Sequence, residues 1–122
     1  MAEPKDIDLC IVLSRPPYGD VEAAEALRHA MGAVGEELST VLLLLSGGVM
    51  LAKKGQEAGQ SGLTGLEETL RDCLDMGVEV LLEEASVKSW GLSRDELPQS
   101  ARLVSTQEAA QVLKKAGKTF IF

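Results

Sequence analysis

Aromatic residues are scarce in this 122-residue chain: one Trp, one Tyr and two Phe make up 3%. Any core it builds has to be aliphatic, and a hydrophobic content of 45% is enough for one. A cationic surplus is also missing, with 12 Lys and Arg against 19 Asp and Glu and a net charge of −7. That excludes the basic surface that displaces counterions from nucleic acid or docks on anionic lipid. Long hydrophobic runs are absent too. Even "VLLLL" at 41–45 falls far short of the roughly 20 residues a bilayer-spanning helix needs. The segment "MAEPKDIDL" has no basic stretch leading into an apolar one, so no signal peptide is read and a cytoplasmic location is expected. Cysteine is limited to Cys10 and Cys73, and histidine to His29. The cysteines lie too far apart for a CxxC motif, and one histidine leaves no zinc constellation. Both thiols are expected to be reduced. No GxxxxGK[ST] loop or GxGxxG fingerprint is present, and no cofactor is expected.

What is present is a run of alternating elements. Five stretches read as strands: 7–14, 39–46, 77–84, 101–105 and 118–122. The first three are nearly continuous apolar runs, which is how strands covered on both faces read. Helical patterns separate them. Val21, Ala24, Leu27, Met31 and Val34 recur at spacings of three and four. Leu66, Leu70, Cys73 and Leu74 form a second stripe, and Ala109, Leu113 and Ala116 a third that Gly117 stops. "TGLE" (64–67), "SRDE" (93–96) and "STQE" (105–108) fit the capping-box pattern. The order implies one α/β domain over 1–122 with a parallel sheet, whose strand order the sequence does not fix. Residues 52–65 carry four glycines and few apolar side chains and read as a mobile surface loop.

Ligands of parallel sheets bind at the carboxyl ends of the strands. Here that edge holds Ser14, Arg15, Tyr18 and Gly19; Ser46, Gly47 and Gly48; Glu83, Glu84 and Ser86; and Ser105. The stretch "SRPPYGD" (14–20) is stiff, because each proline fixes its own φ and holds the residue before it extended. Asp20 stands where it could cap the following helix. The turn would present Arg15 and Tyr18 at a fixed rim. "SGGV" could cradle an anion with its amides, but glycines between strand and helix more often only turn the chain. Glu83 and Glu84 are adjacent on an extended strand end and point apart, so they do not form a carboxylate pair. Cys10 lies inside a strand and Cys73 on an apolar helix stripe, and neither has the electropositive, exposed setting of a reactive thiolate. His29 reads as solvated. Trp90, on a short helix at the same edge, reads as an interface anchor or a packing residue.

These motifs together resemble the DsrE/DsrF family of sulfur-relay proteins, most closely the DsrF/TusC type of subunit. The resemblance spans nearly the whole chain. It rests on "SRPPYG" after the first strand, "GGV" after the second, "GVEVLLEEASVKSWGL" around the third and "TFIF" near 122. It implies a three-layer α/β/α, Rossmann-like domain with a five-stranded, mainly parallel sheet. It also implies homo- or hetero-oligomers that pass persulfide sulfur between cysteines. Catalytic members of the family carry a cysteine just after the third strand. Here Glu83 stands at that point, and "LLEEASVKSWGL" (81–92) contains no cysteine. A carboxylate cannot carry a persulfide.

The reading that follows is a non-catalytic subunit that packs against copies of itself or a cysteine-bearing DsrE-type relative. Its edge or interface residues would be Arg15, Tyr18, Gly47, Gly48, Glu83, Ser86 and Trp90. Two other readings stand beside it. One is an active sulfurtransferase using Cys73 or Cys10. The other is a small-anion or nucleotide binding module at the strand ends.

Overall fold

The computed structural model describes residues 7–17, 21–55 and 65–122. Five strands form one sheet: β1 (Ile7–Leu13), β2 (Thr40–Leu44), β3 (Glu79–Glu83), β4 (Arg102–Val104) and β5 (Ala116–Ile121). Their order is β4-β3-β2-β1-β5, and every pairing is parallel. The three central strands read as unbroken apolar runs because both of their faces are covered. Ile11, Leu13, Leu42, Leu44, Val80 and Leu82 point to one face. Cys10, Val12, Val41, Leu43 and Leu81 point to the other.

The two faces are covered unequally. The first carries α1 (Glu22–Gly35), a 3₁₀ helix (Ser46–Ala52), α2 (Leu66–Met76) and α3 (Glu84–Ser89). The second carries α4 (Thr106–Lys115), which contributes Ala109 and Val112. The chain is thus a three-layer α/β/α domain with a fully parallel five-stranded sheet, as its sequence implies.

Helix α1 departs from the expected stripe. Its buried residues are Ala23, Ala26, Leu27, Ala30 and Ala33, while Val21 is 68% exposed. Alanines bring the helix axis close to the sheet; of the expected stripe Leu27 is buried with them, and Met31 and Val34 are partly buried beside that contact. Asp20, expected to cap α1, lies outside the described residues, as do Tyr18 and 56–64 of the expected loop. The boxes at 93–96 and 105–108 form, the first on a single 3₁₀ turn (Arg94–Glu96) and the second opening α4. The third begins at Thr64, which lies outside the described residues; α2 starts after Gly65, and the Glu67 carboxylate accepts the Gly55 amide at 2.8 Å. Gly117 does not stop α4 either. The helix ends at Lys115 and β5 begins at Ala116, with Ala116 opposite Ile7.

Candidate functional site

The stiff turn after β1 and the glycine pair after β2 are explained by each other. A Cβ on Gly48 would lie 2.0 Å from the Leu13 carbonyl oxygen, and one on Gly47 would lie 2.6 Å from Pro16 Cδ. The Ser14–Pro17 turn therefore packs down on the start of the 3₁₀ helix, and only glycine leaves room. The Gly48 amide donates to the Leu45 carbonyl at 2.8 Å, so it is committed to the turn and not aimed at an anion. Arg15 is exposed on the outside of this turn.

In the order β4-β3-β2-β1-β5, the connections on either side of β1 run over opposite faces of the sheet. That makes the carboxyl ends of β1 and β5 the topological switch point, where a crevice is expected. Here the chain closes it. The Phe122 amide donates to the Val12 carbonyl at 2.8 Å, and the Ser14 amide donates to the Phe122 carbonyl at 3.2 Å.

The open depression lies instead at the ends of β2 and β3. Its volume is about 250 Å³, and its walls include Leu45, Ser46, Glu83, Ser86, Ser89 and Trp90. A connected set of hydrogen bonds builds it. The Ser46 amide donates to Ser86 Oγ at 2.7 Å. The Ser86 hydroxyl donates to Glu83 Oε1 at 2.5 Å. The Thr106 hydroxyl, from the first turn of α4, donates to Glu83 Oε2 at 2.9 Å. Each carboxylate oxygen thus has one donor and keeps spare acceptor capacity. Ser46 sits at φ +51°, a left-handed conformation that is uncommon outside Gly, Asn and Asp. Glu84 turns away to pair with Lys88 at 3.6 Å. Trp90 closes the C-terminus of α3 and is 43% exposed. The left-handed Gly91 (φ +70°) that follows lets its amide reach Lys88 and the Leu92 amide reach Val87, a Schellman ending that fixes the indole's place.

Of the residues read from sequence, Glu83, Ser86 and Trp90 meet in this depression. Gly47 and Gly48 pack against the β1 turn, and Arg15, exposed on that turn, is not among the residues that line the depression. Thr106 and Ser89 were not anticipated. Thr106 reads locally as a plain first-turn helix residue, and only the β3–β4 pairing brings it beside Glu83.

Both thiols are fully buried and lie on opposite faces of the sheet. Burial raises the Cys10 pKa to about 11. Burial and the nearby Asp72 charge raise that of Cys73 to about 11. His29 is half-buried rather than solvated. Its Nδ1 lies 2.7 Å from the Glu25 carbonyl, and its ring packs on Phe120 and Phe122. Among the described residues no group of three or more His, Cys, Asp or Glu could hold a metal ion. No helix among them is long and apolar enough to cross a membrane.

A sequence model of the DsrE/DsrF-like family matches residues 8–122. The chain is 30% identical over 123 residues to the uncharacterized protein MK0008 of Methanopyrus kandleri, covering 100% of each. It is 28% identical to the uncharacterized protein MJ0989 of Methanocaldococcus jannaschii, covering 92% of this chain and 96% of that one. Among solved structures it resembles the ychN protein from E. coli, with a TM-score of 0.85 and 25% identity over 95% of this chain and 99% of that one. The protein MTH1491 from Methanobacterium thermoautotrophicum shares the fold, with a TM-score of 0.68 and 14% identity over 96% of this chain and 100% of that one.

Proposed function

The chain belongs to the DsrE/DsrF-like family, which is related to sulfur relay, and from that premise we propose that it is a non-catalytic, DsrF/TusC-type subunit of a persulfide-transfer assembly. The observation that carries this reading is the state of its sulfur and carboxylate groups. At the end of β3, where the resemblance would put a cysteine, stands Glu83, fixed by the Ser86 and Thr106 hydroxyls. The two cysteines of the chain are buried with raised pKa values. A sulfur acceptor must be a thiolate within reach of its donor. Neither Cys10 nor Cys73 meets that condition, which weighs against a relocated carrier.

An assembly needs a contact surface, and the outer edge of the sheet supplies one. On its far side β5 pairs with no strand among the described residues. Phe120 is 42% exposed there and Ile121 74%. The exposed Lys118 is the charge such an edge normally carries, and the apolar pair beyond it is what a partner would cover. The expected partner is a second copy or a cysteine-bearing DsrE-type subunit.

Intact-protein mass spectrometry after treatment of the native protein with a persulfide donor tests the reading. The expected spectrum shows no reducible gain of sulfur, while a urea-unfolded control labels at both cysteines. A native sulfur adduct mapped to Cys10 or Cys73 would overturn it.

A further inference from the structure

We propose that the depression at the ends of β2 and β3 is a receptor for an arginine side chain presented by a partner chain. The proposal rests on the reading of the protein as an assembly subunit, and it names what that subunit's strand-end site recognises.

Charge decides the sign of the ligand. Among the described residues that line the depression, Glu83 is the only charged one. Two hydroxyl donors orient its carboxylate but leave its charge intact. No Lys, Arg or His among the described residues is paired with it. A persulfide or any other anion would meet a like charge here, whereas a cation would complete the site. Size decides the scale. A volume of about 250 Å³ is below the roughly 300–1,000 Å³ of small-molecule sites and suits one long side chain.

Shape decides between the two cationic side chains. The half-exposed Trp90 lines the same depression as the carboxylate. A guanidinium can stack on an indole and donate a planar fork to the spare lone pairs of a carboxylate, and an ammonium can do only part of this. The Ser89 hydroxyl and the Ser46 side chain, held left-handed at the rim, supply further polar contacts. A rigid acceptor whose rotamer is already fixed by hydrogen bonds costs little to order on binding.

Trp90 is the single tryptophan of the chain, so its fluorescence reports on this site alone. The probe is N-acetyl-arginine amide, titrated into the full chain at low salt, with the blocked lysine and blocked alanine amides alongside. The expected result is a saturable change for arginine with a dissociation constant on the order of millimolar. It is at least about threefold weaker for lysine and absent for alanine. Glu83→Gln keeps the shape and an acceptor for one of the two hydroxyls, removes the charge, and should weaken arginine binding at least about tenfold. Glu84→Gln, on the exposed Lys88 pair, should leave it unchanged. A linear response to arginine, an equal response to lysine, or an unchanged affinity in Glu83→Gln would overturn the proposal. None of these outcomes bears on whether Cys10 or Cys73 accepts sulfur, so the two readings fail separately.

Discussion

Among the described glycines, replacing Gly48 by alanine should damage the frame of the site most. The new Cβ would lie 2.0 Å from the Leu13 carbonyl oxygen and 2.7 Å from its carbonyl carbon. Both are backbone atoms of a central strand, so no side chain can swing aside. An ordinary carbon–oxygen contact is about 3.3 Å, so the 3₁₀ helix must retreat by roughly 1.3 Å. That retreat stretches two bonds beyond useful length, Leu45 N–H to Leu13 O at 3.0 Å and Gly48 N–H to Leu45 O at 2.8 Å. Each lost bond costs about 1 kcal/mol, and overpacking adds about 1–3 kcal/mol. The total is about 3–5 kcal/mol, or a fall in Tm of roughly 10–20 °C for a chain of this size. Urea and thermal unfolding followed by circular dichroism, at one fixed protein concentration, would measure it. Gly32→Ala is the matched control. Gly32 lies inside α1 with no heavy atom within 4 Å of its added Cβ, so it should gain about 0.5–1 kcal/mol. A Gly48→Ala variant that loses under about 1 kcal/mol would refute the close-approach argument.

The buried thiols should react with a disulfide reagent at pH 8 at least about 100-fold more slowly in the native protein than in urea, because burial and a depleted thiolate act together. Their pKa values rise from 9.0 to about 11 on folding. The stability they contribute is therefore full below pH 9 and lost as the pH climbs to 11, and Cys73→Ala should flatten that alkaline decline in urea midpoints. Ser105→Ala removes the hydroxyl that accepts the Glu108 amide at 3.0 Å and should cost about 1 kcal/mol by chemical denaturation. Glu37 occupies the left-handed position after α1, at φ +65°, with its amide on Val34 O and the Leu38 amide on Ala33 O. Glu37→Gly should raise stability by several tenths to about 1 kcal/mol, since glycine takes that conformation without steric cost. Ile121→Lys, on the outer edge of β5, should lower the assembly mass in sedimentation while leaving the Tm of the dissociated chain within a few degrees.

The strands were legible because their chemistry is local. An apolar run such as 41–45 has one use in a chain with so few aromatics, and the five strands fall within a few residues of where the sequence puts them. Helix α1 was harder, because alanine carries a weak hydrophobic signal. The buried face of Ala23, Ala26, Ala30 and Ala33 loses to Val21 and Met31 in any count of large apolar residues. The end of α4 was misplaced for a related reason. Gly117 looks like a helix stop, yet its place is set by the neighbouring strand, where an added Cβ would lie 3.0 Å from Asp8 O. The depression was legible in part. Glu83, Ser86 and Trp90 lie within eight residues of one another, so one strand-to-helix junction brings them together. Thr106 is 23 residues from Glu83 and joins them only through the β3–β4 pairing, which local pattern does not encode.

The topology also separates the two surfaces that the proposed role requires. Phe122 caps the β1–β5 crevice with its own backbone, which leaves the strand-end depression at β2 and β3 as the open pocket beside the turn. The assembly edge, β5, is three strand positions from β3, or roughly 14 Å at the usual inter-strand spacing. Groups more than about 7–10 Å apart with no shared partner act additively. A Glu83→Gln, Ile121→Lys double variant should therefore show the sum of its parts: weakened arginine binding from the first change, lowered assembly mass from the second. If the single Ile121→Lys change also abolished the Trp90 response to arginine, the depression would have to be completed by a neighbouring subunit. The partner's arginine would then be reaching a site that exists only in the assembly.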